Sequence, residues 1–201
     1  MKISSLSASF RIPVRNSHAI HQLSEMEIRN YEFKARVDDL QEYENRLLSL
    51  NPEFRGTDHQ TDTYLNVSHG RLKLREGNIE NALINYDRDD IAGSKKSDVI
   101  LYRHAPDAAL KEILVKQFGI RVVVSKIRRI YFIGNIKFHF DTVEGLGTFI
   151  EVEAIDDKDE FTTEQLKSQC DHYLHFFGIT KEQLVDRSYS DLLHSEGRLK
   201  A

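Results

Sequence analysis

The chain has 201 residues, and with 40% hydrophobic and 30% charged residues it has the composition of a soluble globular protein, which excludes a disordered chain. Its net charge of −4 at pH 7 gives no overall reason to expect a nucleic acid or a membrane as a partner. The single cysteine, Cys170, excludes an intrachain disulfide bond and a cysteine-based zinc site, and it fits a reducing compartment such as the cytoplasm.

The N-terminal segment differs in composition from the rest of the chain. Residues 1–24 contain Lys2, Arg11 and Arg15 but no acidic residue, and six of them are serines. This composition faintly resembles an organelle transit peptide, whereas a secretory signal would need a continuous apolar segment. We favour the simpler interpretation of a flexible extension, residues 1–25, followed by one domain, residues 26–201, of a cytoplasmic protein.

The first predicted strand covers residues 30–37 and alternates between polar and apolar side chains. Its polar face carries Asn30, Glu32, Lys34 and Arg36. Its apolar face carries Tyr31, Phe33, Ala35 and Val37. A half-exposed strand with its polar face in water shows the same alternation, so this strand alone does not identify a site.

Seven further strands are predicted, separated mostly by short turn signals. They cover residues 60–67, 71–76, 82–88, 98–104, 121–133, 135–142 and 147–155. The spacing of apolar residues predicts helices over residues 38–50, 106–118 and 162–177, and a short last helix that starts at Thr180. Eight antiparallel strands suffice to close a barrel. The predicted fold class is therefore α+β, an eight-stranded antiparallel β-barrel with helices packed outside.

Charged faces recur in at least five of these strands, and this repetition is the main functional signal. If helices cover the outside of the barrel, the charged faces point into its lumen and the barrel is a polar tunnel. The candidate lumen cations are Lys34, Arg36, Arg71, Lys73, Arg75, Arg88, Arg103, Lys126, Arg128 and Lys137. The candidate lumen carboxylates are Glu32, Asp62, Asp141, Glu151 and Glu153.

So many converging cations need an anionic ligand, and a polyphosphate carries the densest negative charge. One arginine side chain can bind two phosphate oxygens at once. Clustered carboxylates suit Mg²⁺ or Mn²⁺, and these ions also bind phosphate. The sequence has neither a Gly-x-x-x-x-Gly-Lys loop nor a Gly-x-Gly-x-x-Gly motif, so the phosphates are not expected at a helix N-terminus.

Other candidate sites are weaker. His172 and His175 lie one helical turn apart, but a surface or partly packed helix face explains them better than a metal site does. Cys170 has helical spacing with Leu166 and Leu174, which is typical of a core position rather than of a nucleophile.

These motifs, taken in order, resemble the CYTH family, the triphosphate tunnel metalloenzymes. The family signature Glu-x-Glu-x-Lys is matched at its second and third positions by Glu32 and Lys34, and the similarity extends to about Leu193. The further matching segments are Asp62-x-Tyr64, Arg71 to Arg75, Leu83 to Arg88, Lys126-x-Arg128, Asp141 to Gly147, Phe149 to Glu153 and Ser188 to Leu192.

The resemblance implies a tunnel of eight antiparallel strands, a requirement for Mg²⁺ or Mn²⁺, and a substrate that bears a triphosphate. It implies that the phosphates are held by Lys34, Arg36, Arg71, Lys73, Arg75, Arg88, Lys126 and Arg128, to which we add Arg103 as a lumen cation. It implies metal ligands at Glu32, Asp141, Glu151 and Glu153. Among these residues we assign catalytic roles to Lys34, Lys126 and Glu153.

The chain departs from the signature at Asn30, which stands where the first glutamate belongs. Asparagine is a neutral oxygen ligand and binds a divalent cation more weakly than a carboxylate does. We rank hydrolysis of a triphosphate such as tripolyphosphate, ATP or thiamine triphosphate first. Conversion of ATP to cyclic AMP is the close alternative, followed by a non-catalytic polyphosphate-binding module and an interaction scaffold. No nucleic acid or membrane partner is expected, and a homodimer stays open.

Overall fold

A computed structural model of the chain describes residues 28–87 and 95–195. In this part of the chain eight antiparallel strands form a closed barrel, as predicted. They are β1 (Ile28–Arg36), β2 (Glu53–Leu65), β3 (Arg71–Glu76), β4 (Ala82–Asp87), β5 (Lys95–Arg103), β6 (Ile120–Ile133), β7 (Ile136–Val143) and β8 (Gly147–Asp156). Their order around the barrel is β1-β5-β4-β3-β2-β6-β7-β8, and β8 pairs with β1 to close it. The predicted extension, residues 1–25, and Arg88 lie outside the described residues.

Four described helices accompany the barrel: α1 (Leu40–Leu48), α2 (Ala108–Phe118), α3 (Thr163–Phe177) and α4 (Tyr189–Ser195). The first three begin where the sequence offers a capping side chain, because Asp39, Asp107 and Thr162 each accept a hydrogen bond from a backbone amide of the first turn. No described helix is both long enough and apolar enough to span a membrane.

Two apolar clusters form where α1, α2 and α3 cover the outside of the barrel. The larger one joins α1 and α3 to the outward side chains of β1, β7 and β8, with Phe33, Phe138 and Phe177 all nearly inaccessible. The smaller one joins Leu114 of α2 to Leu65 and Leu74. Since these outer faces are covered by apolar contacts, the polar faces of the same strands point into the barrel.

The third apolar cluster lies inside one end of the barrel. There α4 inserts Tyr189, Leu192 and Leu193 among inward-facing side chains that include Val124 and Phe149. Helix α4 therefore fills this end of the lumen. The opposite end is bordered by loops with exposed residues, including Gly134 and Lys158.

Two sequence predictions of element boundaries are wrong. No helix starts at Thr180: residues 181–183 form a turn, and Leu184 makes an isolated bridge to Ala35. The backbone of this segment bonds to β1 instead, through Arg36 N to Gln183 O and Val185 N to Lys34 O. Strand β2 begins at Glu53, seven residues before the predicted strand, because its polar first half pairs with β6.

Candidate functional site

The barrel encloses a cavity of about 970 Å³ that is lined by side chains from all eight strands. It brings together most of the residues that the sequence predicts for the site. Those lining the cavity are Glu32, Lys34, Asp62, Lys73, Arg75, Arg103, Lys126, Arg128, Lys137, Glu151 and Glu153.

A cluster of cations surrounds Asp62. Its carboxylate accepts hydrogen bonds from Arg75 (Nε, 2.8 Å), Lys126 (Nζ, 2.8 Å) and Lys73 (Nζ, 3.2 Å). Burial alone would raise the pKa of Asp62, but the charges of Arg75, Lys126 and Lys73 hold it well below its ordinary range. One carboxylate thus organises three cations, which leaves this part of the lumen with a local excess of positive charge.

Lys126 is the most constrained of these cations. Its side chain is almost inaccessible to solvent, and burial lowers its pKa to about 7, with a further contribution from the charges of Arg75 and Arg128. Asp62 opposes this shift but does not cancel it. An anion in the lumen would add to the attraction of Asp62 and favour the charged form of Lys126.

Two neighbouring strands bring the predicted metal-binding carboxylates together. The register of β1 and β8 places Glu32 opposite Glu153 and Lys34 opposite Glu151. Glu151 is held by Lys34, at 2.9 Å, and by Arg128, so that despite burial its pKa lies well below the ordinary value. The pKa of Glu153 is raised to about 7 because burial and the charges of Glu32 and Glu151 outweigh the attraction of Lys137.

His139 on β7 joins the carboxylates from the next strand. Its ring lies opposite Glu151 in the register, and one ligand atom each from His139, Glu151 and Glu153 lie within 4.8 Å of one another. Burial, Arg128 and Lys137 lower the pKa of His139 to about 3, so the ring is neutral. The sequence places His139 on the charged face with Lys137 and Asp141, but an isolated histidine in a strand gave no further signal for a ligand.

The donor set fits a divalent cation. Glu151 and Glu153 supply oxygen atoms to one region of the lumen beside His139, and Glu32 lines the same cavity opposite Glu153 in the pairing of β1 with β8. The buried Oδ1 of Asn30 has no hydrogen-bond partner among the described residues. A hard divalent cation accepts carboxylate and amide oxygen ligands of this kind. Asn30 itself lines the same cavity as the carboxylates.

Of the predicted site residues that the structure describes, three do not line the cavity. Asp141 is fully buried and accepts hydrogen bonds from Arg128 and from the hydroxyl of Tyr189, at 2.8 Å. Arg71 pairs with Asp191 of α4, at 2.9 Å, and Arg36 donates to the backbone oxygen of Leu146. Asp141 thus fixes the position of Arg128 through these hydrogen bonds. Arg36 and Arg71 lie toward the end of the barrel that α4 fills.

Glu80 is a lumen residue that the sequence did not reveal, since it lies in the loop between β3 and β4 and has no strand periodicity. It accepts hydrogen bonds from Arg75 (3.0 Å) and Lys137 (2.5 Å). Asp58 fixes this loop by accepting from the backbone amides of Ile79 and Glu80, both at 2.9 Å. A Cβ atom at Gly77 would come within 2.5 Å of Asp58 Oδ1, so the approach requires glycine.

An apolar wall faces the charged half of the lumen. It consists of inward-facing side chains of β4 and β5, namely Ala82, Ile84, Val99 and Leu101. Tyr86 and Tyr64 lie beside this wall, with Lys73 Nζ 5.7 Å and 5.5 Å from their ring centroids. The lumen therefore offers apolar contact next to the cations that surround Asp62.

The chain is similar to proteins of known family and structure. The family model described as "CYTH domain" matches residues 29–189. Adenylate cyclase CyaB of Aeromonas hydrophila is 28% identical over 166 residues, which cover 80% of this chain and 86% of that protein. A protein of solved structure from Pyrococcus horikoshii has a TM-score of 0.70 at 23% identity and covers 81% of this chain and 98% of its own.

A further structural relative is HpAC1 from Hippeastrum, an adenylyl cyclase homologue described as having a dominant triphosphatase activity. Its TM-score is 0.57 at 14% identity, with 87% of this chain and 97% of that chain covered. These two structures share the tunnel fold with this chain. Since the CYTH match spans β1 to the first residue of α4, the chain belongs to the CYTH domain family.

Proposed function

We propose that this protein binds a triphosphate in the barrel lumen with a divalent cation and hydrolyses its terminal phosphoanhydride bond. The observation that carries the proposal is the pairing of two clusters in one lumen. Lys73, Arg75 and Lys126 converge on Asp62, and Glu32, Glu151 and Glu153 converge across β1 and β8.

The cations would hold the phosphate chain. Arg75 and Arg128 present planar guanidinium groups that match phosphate oxygens, and Lys73 and Lys126 add point charges. Phosphate oxygens would compete with Asp62 for these groups, because they offer more negative charge than one carboxylate. Lys34, which pairs with Glu151 and lines the same cavity, would contact the phosphate nearest the metal.

The carboxylates would hold the cation, with Glu32, Glu151 and Glu153 as ligands. A bound divalent cation supplies a Lewis acid that withdraws charge from a phosphoryl oxygen and lowers the pKa of a bound water. Positioning and charge stabilisation dominate phosphoryl transfer, so Lys34 and Lys126 would act by stabilising the charge on the transferred group. Of the predicted catalytic residues, Glu153 serves through the metal.

Formation of cyclic AMP is a second candidate, and one observation favours it. The apolar wall of Ala82, Ile84, Val99 and Leu101 belongs to the third apolar cluster together with residues of α4, and where it borders the cavity it suits the base or sugar of a nucleotide. CyaB of A. hydrophila carries the name adenylate cyclase. In this reaction the ribose 3′-hydroxyl would attack the α-phosphorus and pyrophosphate would leave.

Product analysis separates the two candidates. The purified chain is incubated with Mg²⁺ or Mn²⁺ and, in separate reactions, with tripolyphosphate, thiamine triphosphate and ATP, and the products are resolved by chromatography. We expect orthophosphate from tripolyphosphate and no cyclic AMP from ATP. Cyclic AMP with equimolar pyrophosphate would replace hydrolysis by cyclisation. No product, with a thermal shift on tripolyphosphate that Lys126→Met removes, would indicate a binding module.

A further inference from the structure

His139 is a buried imidazole without a hydrogen bond. Its side chain is 1% exposed, and neither Nδ1 nor Nε2 has a hydrogen-bond partner among the described residues. A buried polar group usually has such a partner, because leaving it without one costs free energy. The ring lines the cavity, so the ligand that would satisfy it can enter from the lumen.

The position of Nδ1 indicates what that ligand is. Nδ1 lies 3.4 Å from Glu151 Oε2 and 3.4 Å from Glu153 Oε1, without hydrogen-bond geometry to either. Nδ1 is therefore the ring nitrogen that lies near both carboxylates, and with the ring proton on Nε2 it is free to coordinate an ion between them. Atoms bound at about 2.1 Å to one cation lie roughly 3 to 3.4 Å apart in octahedral or tetrahedral coordination. The two distances from Nδ1 thus match those between neighbouring ligands of one ion, and all three ligand atoms lie within 4.8 Å of one another.

We infer that His139 is a nitrogen ligand of the lumen cation, and that this mixed nitrogen and oxygen set selects a first-row transition ion such as Mn²⁺ over Mg²⁺. The inference deepens the proposed function and rests on it for the presence of a cation. Imidazole is a favourable ligand for transition ions, whereas Mg²⁺ prefers oxygen ligands and retains its waters.

The first measurement detects the nitrogen directly and uses the full chain with Mn²⁺ and no triphosphate. Bound Mn²⁺ is examined by electron spin echo envelope modulation, in which a coordinated imidazole gives a ¹⁴N coupling. We expect this coupling in the wild type and in His172→Asn, which alters an exposed histidine of α3. We expect its loss in His139→Asn, whose folding is checked by thermal unfolding without metal.

The second measurement compares affinities by calorimetric titration of Mn²⁺ and Mg²⁺. Loss of His139 should weaken Mn²⁺ binding by roughly 10- to 100-fold, the range seen when even a supporting partner of a metal ligand is removed, and should change Mg²⁺ binding far less. Bound Mn²⁺ without ¹⁴N coupling in the wild type would overturn the ligand assignment. Equal losses for the two ions would overturn the selectivity.

The proposed function is tested separately, by the thermal shift that tripolyphosphate causes in metal-free protein. A ¹⁴N coupling without any tripolyphosphate shift would refute triphosphate binding and leave His139 assigned as a ligand. A tripolyphosphate shift without the ¹⁴N coupling would support triphosphate binding and refute the assignment of His139 as a ligand.

Discussion

Among single residues, Lys126 links the electrostatics of the lumen to ligand binding. Burial and neighbouring cations lower its pKa to about 7, so much of it is neutral at pH 8.5. A bound triphosphate favours the charged lysine and raises this pKa. We therefore expect tripolyphosphate to bind less tightly as the pH rises above about 7 and, at pH 8.5, to bind with uptake of a proton by Lys126. Calorimetry in two buffers of different ionisation enthalpy measures that uptake.

Lys126→Arg is the matched control, because arginine stays charged throughout this range. The variant should lose the part of the proton uptake that belongs to residue 126 and keep the part that belongs to tripolyphosphate itself. Identical proton uptake in wild type and variant would contradict the role given to Lys126.

Asp62 permits a second prediction at this scale, because it holds three cations in a buried position. Asp62→Asn should lower the free energy of unfolding by about 3 to 5 kcal/mol, the usual cost of leaving a buried charge without its partner. It should also tighten tripolyphosphate binding, since the competing carboxylate is gone. Urea denaturation with and without tripolyphosphate measures both effects.

The pH dependence of this contribution follows from the direction of the pKa shift. The pKa of Asp62 is held below its ordinary value, so its stabilisation is complete above about pH 4 and is lost as the pH falls further. Asp171→Asn, which breaks the exposed pair with Lys167, serves as the control and should leave stability essentially unchanged. Weaker tripolyphosphate binding in Asp62→Asn would argue that Asp62 organises the cations rather than competes for them.

The strand residues of the site could be predicted from the sequence, whereas its loop residues could not. A period of two fixes which side chains share a face, so Lys34, Lys126 and Glu153 reach the lumen as predicted. The same period cannot say how deep in the barrel a residue lies, which is why Arg71 faces α4 and not the cavity. Glu80 depends on the Asp58 contacts that fold its loop, and these join residues 21 and 22 positions apart.

At the scale of elements, α4 combines a structural and a functional task. It fills the end of the lumen with Leu192 and Leu193, and its first residue places the Tyr189 ring 4.1 Å from Lys34 Nζ. Local sequence favoured a helix from Thr180, and the capping contact of Gln183 with the Thr180 amide does form. Pairing with β1 prevails over that local preference, a tertiary effect that short-range patterns do not contain.

Leu192→Ala tests how much the barrel depends on α4. Leu192 is buried, so truncation should lower the free energy of unfolding by about 2 to 5 kcal/mol through lost contacts and the cavity left behind. Leu48→Ala, at a position 45% exposed on α1, should change it by no more than about 0.5 kcal/mol. Equal effects of the two changes on urea denaturation would mean that α4 does not seal the barrel.

For the whole molecule, the arrangement of charge matters more than its sum. The chain carries a net charge of −4 and the cavity is lined by as many acidic as basic residues, but Lys73, Arg75 and Lys126 are grouped around a single carboxylate, that of Asp62. Salt screens charges that the barrel wall encloses less than it screens charges in open solvent. We expect tripolyphosphate affinity to fall as NaCl rises. Lys137→Gln, in the lumen, should reduce this salt dependence, whereas Lys167→Gln, on the outside of α3, should preserve it. Affinity that is independent of salt would contradict charge-driven binding.

The filling of one end of the lumen by α4 also has a consequence for how molecules enter and leave the barrel. Under the proposed function, a lumen filled at one end by α4 would exchange substrate and products through the opposite end, so orthophosphate or pyrophosphate would have to leave before the next molecule enters. A long linear polyphosphate would then present only its end to the lumen cations, and the protein would act on chain ends rather than on internal bonds.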